Sequence, residues 1–413
     1  MEIEEALSVL LAEQGRITDT ERVSLSEAAG RVLAEDIRAP FDVPHFPKSA
    51  MDGYAVRAEG VKDASPEQPV SLKVMGEMLA GDMPSYVGRS EEACRVTAVR
   101  VMTGAAVPAG YDAVVRQEDT DYGESEVLIY KGVAPYTNYC RVGEDIRKDS
   151  VVLSHGRRIG RVEAGVLASL GIIEIPVLRR LHVSVLSTGS ELCELPGSGE
   201  MQSAGQMPEA GRIYNSIAYT LTTCLTAAGF TAEQRICKDE TEEIRAGLEQ
   251  ALKTADVVIT TGGVSVGKKD LLPEVLEEIG AKRLFSGVNV QPGTPTIGSV
   301  RDGRVILSLS GNPYAALVNF DLYFWPLAAR LTGCDTFLPA SGEAVLRSEY
   351  TKKNHHRRLL RARVEGGEVT LPAKSHASSV LSNLLDCNCY IDLPAGAEPK
   401  PGDRVKILRM PGW

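Results

Sequence analysis

Thr260-Thr-Gly-Gly-Val-Ser-Val-Gly-Lys-Lys-Asp270 decides the reading of this chain, because it follows the β-like run Ala255-Asp-Val-Val-Ile259 and precedes an amphipathic run over 271–279. Three glycines let backbone come close to a bound group, and the unpaired amides that open the next helix favour an anion. A phosphate cradle is one reading; a plain helix-entry turn is the other. Two more junctions of this kind lie nearby. Val183-Ser-Val-Leu186 runs into Ser187-Thr-Gly-Ser-Glu-Leu192, and Val305-Ile-Leu307 runs into Ser308-Leu-Ser-Gly-Asn-Pro313. In an open parallel sheet such loops gather at the carboxyl ends of the strands. One pocket there offers backbone amides, the hydroxyls of Thr188, Ser190, Ser265 and Ser310, and the carboxylates Glu191 and Asp270. Amides and hydroxyls suit phosphate oxygens, and carboxylates suit a bridging divalent cation.

Around these junctions, strands near 182–187, 232–237, 255–260, 283–286 and 304–309 alternate with helices near 215–228, 241–253, 271–279 and 313–331. That alternation predicts a parallel α/β sheet with right-handed crossovers. Upstream, Ile3, Leu7, Leu10 and Leu11 mark one helix face, and Ser24 with Glu27 forms a capping-box pattern that predicts a second helix ending near Ala34. The run Ala39-Pro-Phe-Asp-Val-Pro-His-Phe-Pro47 cannot continue it. Short apolar runs between Gly and Pro turns over 48–140 predict a small β domain, and a short helix over 161–170 ends at Gly171. After Gly333 short strands return near 343–350, 359–364, 368–371, 389–393 and 404–408, the pattern of a second small, barrel-like β domain. The expected division is 1–40 with 140–176 as a connecting helical and extended domain, 41–139 as a small β domain, 177–332 as the α/β domain and 333–413 as the carboxy-terminal β domain.

The 413 residues carry a formal charge of −10, and no basic stripe appears beyond short clusters such as Arg157-Arg158. This argues against a nucleic-acid partner and leaves any anionic ligand to local geometry. The acidic start Met1-Glu-Ile-Glu-Glu-Ala-Leu7 is unlike a secretory signal, and no apolar run reaches membrane-spanning length. A cytoplasmic location is expected. The eight scattered cysteines, of which Cys387 and Cys389 are the closest pair, read as reduced packing residues.

Seven motifs in order bring a family into view: Ser49-Ala-Met-Asp-Gly-Tyr-Ala55, Arg100-Val-Met-Thr-Gly-Ala105 with Val107-Pro108, Gln117-Glu-Asp119, Gly143-Glu-Asp-Ile146, Ser187-Thr-Gly-Ser-Glu-Leu192, Gly262-Gly-Val-Ser-Val-Gly267 and Gly311-Asn-Pro313. Nearly end to end, the chain resembles the molybdopterin molybdotransferases, the bacterial MoeA family that includes the E domain of gephyrin. The resemblance implies an elongated four-part subunit and a homodimer with a shared site, between the α/β domain of one chain and the second domain of the other. It implies cleavage of adenylylated molybdopterin and attachment of molybdate to the pterin dithiolene, with Mg²⁺ present and AMP released. By the same resemblance Asp52, Asp145, Glu191 and Asp270 are the catalytic carboxylates, and Glu191, Asp239 and Asp270 handle metal or phosphate. Thr103, Thr188, Gly262, Gly263, Ser265, Gly267, Lys269, Ser310, Asn312, Arg361 and Ser378 contact substrate. Each acid has a plainer reading: Asp52 before Gly53 is a turn signal, Asp239 can cap the helix starting near Thr241, and Glu191 and Asp270 can be first-turn acids on a helix dipole.

The chain departs from the family at one place. A Lys-Pro-Gly-Lys-Pro signature stands here as Gln291-Pro-Gly-Thr-Pro295, so both lysines are missing and the dianion loses its strongest local attraction. Leu-Pro-Gly-Asn-Pro appears as Leu309-Ser-Gly-Asn-Pro313, and a serine shortly after it is replaced by Ala315 or Ala316. Arg361 offers a fork for two oxygens, unless it is an ordinary strand-surface arginine, and Lys268 or Lys269 is a candidate for restoring the missing charge. The departures leave two alternatives beside the insertase: a paralogue that binds pterin or a protein partner without the activity, or an insertase for tungstate.

Overall fold

Val257-Val-Ile-Thr-Thr261 is apolar and β-branched almost throughout and is buried at every position, the composition of a strand covered on both faces. It lies at the centre of a six-stranded sheet. The computed structural model describes residues 1–82, 91–195, 205, 207–264, 271–352, 355–373 and 377–411. Two compact units emerge: residues 1–35, 155–164 and 174–413 form one, and residues 36–154 with 165–173 form the other.

In the first unit the sheet strands are β1 (His182–Thr188), β2 (Thr231–Cys237), β3 (Val257–Thr261), β4 (Lys282–Ser286), β5 (Ile297–Arg301) and β6 (Arg304–Leu309), in the order β2-β1-β3-β6-β5-β4. The first four are mutually parallel, whereas β5 runs antiparallel to both β6 and β4. The expected all-parallel sheet is therefore mixed. Ile297–Arg301, absent from the sequence reading, turns back through Asp302-Gly303 and forms a hairpin with β6, which separates β4 from the parallel set.

The helices α1 (Ser216–Ala227), α2 (Thr241–Thr254), α3 (Leu272–Glu278) and α4 (Pro313–Thr332) cover both faces. Alternation along the strands sorts the two cores. Val183, Val185, Val257, Ile259, Val305 and Leu307 pack with α1, α4 and the amino-terminal helix Ile3–Ala12. Leu186, Val258 and Ile306 pack with α2 and α3 on the opposite face. The chain thus leaves β1 toward one face and leaves its neighbour β3 toward the other, which opens a crevice at their carboxyl ends.

The second predicted amino-terminal helix does not form. Thr20–Ser24 is a strand paired with Glu174–Leu178, and the capping box at Ser24 and Glu27 closes only the single 3₁₀ turn Leu25–Glu27. Gly30 then takes a left-handed conformation, φ +77°, and residues 31–33 hydrogen-bond in extended form to the 157–159 and 178 backbone. Tertiary pairing outweighs a local start signal.

Beyond α4, Gly333 stops the helix at φ +66°, and the strands Ser341–Leu346, Arg357–Glu365, Glu368–Thr370, Cys389–Leu393 and Arg404–Arg409 close into a barrel. Leu346, Leu360, Ala362, Val369, Ile391 and Ile407 fill it. The two-residue strand Val290–Gln291 joins the barrel wall alongside Arg357 and Arg358. The second unit holds a five-stranded sheet in the order Ala113–Arg116, Gly53–Val56, Thr97–Val101, Val70–Met78, Glu126–Ile129, packed around Tyr54, Leu72, Val115 and Ile129.

Helix α4 is bolted to the barrel by a buried acid. Asp321 accepts hydrogen bonds from Trp325 Nε1 at 2.9 Å and from Tyr390 Oη at 2.7 Å. Burial pushes its carboxyl up to about 6, against the pull of those two donors. Folded protein therefore holds this proton more tightly than the unfolded chain, so the stability it contributes is full below about pH 4 and is lost as pH rises through about 6. Tyr390→Phe removes one donor from the enclosed carboxylate and should cost about 1–3 kcal/mol, read as a lower midpoint in denaturant unfolding at pH 7.5.

Candidate active site at the carboxyl edge of the sheet

Three backbones meet where β1, β3 and β6 end. Thr188, the last residue of β1, is buried, and its hydroxyl lies 3.5 Å from the Thr261 carbonyl. Gly262 sits at φ +93° so close to β1 that a Cβ there would fall 2.5 Å from the Thr188 carbonyl oxygen. A Cβ on Gly263, at φ +65°, would fall 3.1 Å from the Thr188 hydroxyl. Gly311 faces the same point, 3.4 Å from Gly262 Cα by the same measure, and the Gly262 amide donates to the Leu309 carbonyl at 3.0 Å. Glycine is required here by contact distance and by conformation alike. The sequence motifs at 188, 262–263 and 311 therefore belong to one crevice. Ser265, Gly267, Lys268, Lys269 and Asp270 lie outside the described residues.

On the β2 side, Asp239 and Ser190 clasp each other across the strand ends. The Ser190 amide donates to Asp239 Oδ2 at 2.9 Å, and the Asp239 amide donates to Ser190 Oγ at 3.4 Å. Asp239 is not the cap of α2: Glu240 holds that position, and the Asp239 carboxylate points back to the β1 loop. Glu191 is not a first-turn acid either. It precedes the short strand Leu192–Cys193, its carbonyl accepts from the Ile213 amide at 2.8 Å, and its exposed carboxylate curls over Gly189. Arg212, which sequence reasoning passed over inside a loop, donates to the Ser190 carbonyl at 2.7 Å and fixes this turn. Glu191 and Asp239 are oxygen donors on neighbouring strand ends, a set suited to Mg²⁺, which binds through one or two carboxylates together with phosphate oxygens and water. Among the described residues no group of three candidate metal ligands occurs.

A second cavity, of about 440 Å³, adjoins the start of α4 and is lined by Gln291, Thr294, Ser310, Asn312 and Ser378 among others. Ser310 Oγ accepts from the Asn312 amide at 3.2 Å, and Asn312 is the N-cap residue with Pro313 following. The Ser378 carbonyl accepts from the Tyr314 amide at 3.0 Å. Arg361 is neither a strand-surface arginine nor an open fork. It is fully buried, donates to the carbonyls of Ala377 (2.8 Å) and Val380, and lies 4.0 Å above the Tyr314 ring. Its work is to hold the 377–380 loop, and Ser378 with it. In a larger cavity of about 740 Å³ on the barrel, Arg357 and Lys406 both pair with Asp392.

In the second unit the sequence motifs lace together. The Ser49 carbonyl accepts from the Gly104 amide and the Ser49 amide donates to the Ala105 carbonyl, at 2.8 and 2.9 Å. Asp52 Oδ1 then accepts from both the amide and the hydroxyl of Thr103, each at 2.7 Å. Those two bonds, the backbone one foremost, hold the Asp52 carboxyl below its usual range. Asp52 is more than a turn residue, because its carboxylate is fixed and kept charged. Asp145 is exposed on the turn after Gly143, and its amide donates to the Val43 carbonyl at 3.0 Å.

Comparison with known proteins places the whole chain. Residues 1–171 match the family model described as "MoeA N-terminal region (domain I and II)", residues 184–330 match "Probable molybdopterin binding domain", and residues 343–410 match "MoeA C-terminal region (domain IV)". A molybdopterin molybdenumtransferase of Bacillus subtilis is 35% identical over 94% of this chain and 90% of its own length. One from Staphylococcus epidermidis is 33% identical over 98% and 94%. The crystal structure of a molybdopterin biosynthesis MoeA protein from Pyrococcus horikoshii superposes with a TM-score of 0.83 at 29% identity, covering 99% of this chain and all of that one. On these matches, spread over all but short stretches of its length, the chain belongs to the MoeA family of molybdopterin molybdenumtransferases.

Proposed function

We propose that the chain cleaves adenylylated molybdopterin, releases AMP and places molybdate on the pterin dithiolene, acting as a homodimer with Mg²⁺. The observation that carries this reading is the crevice where Thr188, Gly262, Gly263 and Gly311 bring three strand ends within contact of one another. Backbone that close, free of side chains, is what a bound phosphate chain needs.

Splitting the phosphoanhydride consumes one water: its hydroxyl joins one phosphorus, and the bridging oxygen departs on the other. The Gly262-Gly263 backbone and the Thr188 hydroxyl orient the phosphates. Asp239 keeps the Ser190 turn folded back, so that the Glu191 carboxylate stays beside Gly189 at the mouth of the crevice. Glu191 and Asp239, together with Asp270, would hold Mg²⁺, which supplies charge neutralisation at the phosphates when bound. Asp52, fixed by Thr103, and Asp145 complete the acidic set from the second copy of the chain in the homodimer.

Asp239→Asn keeps an oxygen for the Ser190 amide and loses the charge. AMP release from adenylylated molybdopterin should fall at least about tenfold, while the unfolding midpoint moves little. Equal losses in both would assign Asp239 to structure alone. Asp52→Asn and Asp239→Asn proteins, each impaired, should regain AMP release when coexpressed as mixed dimers; a mixture no more active than its parts would remove the shared site. Thr103→Val deletes one of the two donors that keep Asp52 ionised, so the acid limb of the pH profile for AMP release should shift upward. An unmoved limb would detach Asp52 from the reaction.

A further inference from the structure

The cavity at the start of α4 lacks the two lysines of the family signature, and the residues that replace them cannot restore the charge. The Thr294 hydroxyl is committed to the Val290 carbonyl at 2.7 Å, and Gln291 is neutral. Yet the cavity is not uncharged. Its charged lining residues are Lys352 and Arg358, and no carboxylate lines it among the described residues. Arg358 is half-buried on the barrel strand, Lys352 exposed at the rim.

Register explains why Arg358 reaches this place. Gln291 pairs directly with Arg358 across a parallel ladder. Partners in a ladder carry their side chains on the same face, about 4.8 Å apart. Residue 358 therefore stands one strand spacing from the position where the signature has its first lysine, with its side chain on the same face. The neighbouring arginines are already occupied. Arg357 is forked onto Asp392 at 2.7 Å and also reaches Glu4, and Arg361 holds the carbonyls of Ala377 and Val380. The Arg358 side chain has no hydrogen bond or ion pair with any described residue, its backbone alone being paired in the ladders, which leaves its fork for a ligand.

We propose that Arg358, assisted by Lys352, is the cationic partner of the oxyanion substrate in this chain, the charge having moved from the 291–295 loop to the adjacent barrel strand. The ligand class is a tetrahedral oxyanion of molybdate or tungstate size. A planar guanidinium can give it two parallel donors, where a lysine gives a single point charge. Gln291 and Ser378 supply neutral hydrogen bonds around it. This rests on the proposed insertase reading for the identity of the oxyanion and leaves phosphoanhydride cleavage at the other crevice as a separate matter.

The test is equilibrium dialysis of the full chain against molybdate, with sulfate as the competing anion. Arg358→Gln should weaken molybdate binding on the order of 10- to 100-fold, Arg358→Gln with Lys352→Gln further, and Arg358→Lys should recover much of the loss. Unchanged molybdate affinity in the double variant overturns the proposal. So does a wild-type chain that binds no molybdate, or a loss that appears only in Lys268→Ala/Lys269→Ala. AMP release by the wild-type chain is followed separately: its absence removes the proposed reaction, while the dialysis result still decides the role of Arg358.

Discussion

Everything in the α/β unit answers to one steric constraint, the approach of the 262–263 and 311 backbones to the end of β1. At 2.5 Å from the Thr188 carbonyl no Cβ can stand at residue 262. The topology creates this meeting, because β1 sends its chain to the face of α1 and its neighbour β3 sends its chain to the face of α3. Two helices leaving in opposite directions part at the sheet edge, and the gap is floored by main chain rather than side chains. A phosphate chain can then contact amides directly, and the acids that serve it stand to one side, on the Ser190–Asp239 clasp.

Electrostatics divide the labour between two cavities. On the proposed reading the crevice, with Glu191 and Asp239 at its edge, takes phosphates through a cation. The cavity at the start of α4 is lined by Lys352 and Arg358 and is the proposed seat of an oxyanion. With a net charge of −10 over the whole chain, neither ligand is drawn by a general field, so both depend on pairs fixed at close range. Asp52 illustrates the cost of this arrangement: a half-buried acid is kept charged chiefly by two donors from one threonine.

Much of this was legible in the chain. The alternation over 182–332 predicted nearly every strand and helix of the sheet, because segments buried on both faces are long, apolar and bounded by glycine. The hairpin strand Ile297–Arg301 escaped, since its Gly298 and Ser299 dilute the apolar signal and its burial comes from Phe285 packing against a residue with no side chain. At Ser24 a true capping box misled, because local hydrogen bonds could not compete with an extended pairing formed 150 residues away. The site was legible where backbone geometry makes it and illegible where register does. Nothing in Arg357-Arg-Leu-Leu-Arg361 tells which arginine is free. Only the alignment of 358 with 291, together with Asp392 and the 377–380 carbonyls, separates the three.

The strand Val290–Gln291 hydrogen-bonds into the barrel at Arg357–Arg358 while Asn319 of α4 grips the Gly293 carbonyl at 2.7 Å. The 290–291 and 357–358 walls of the smaller cavity are thereby adjacent strands of one ladder. They cannot swing apart as jaws without breaking main-chain bonds, so the width of the recess between them is set by the fold. For the proposed oxyanion, discrimination would then follow ionic radius and bond length, with little adaptation by the host.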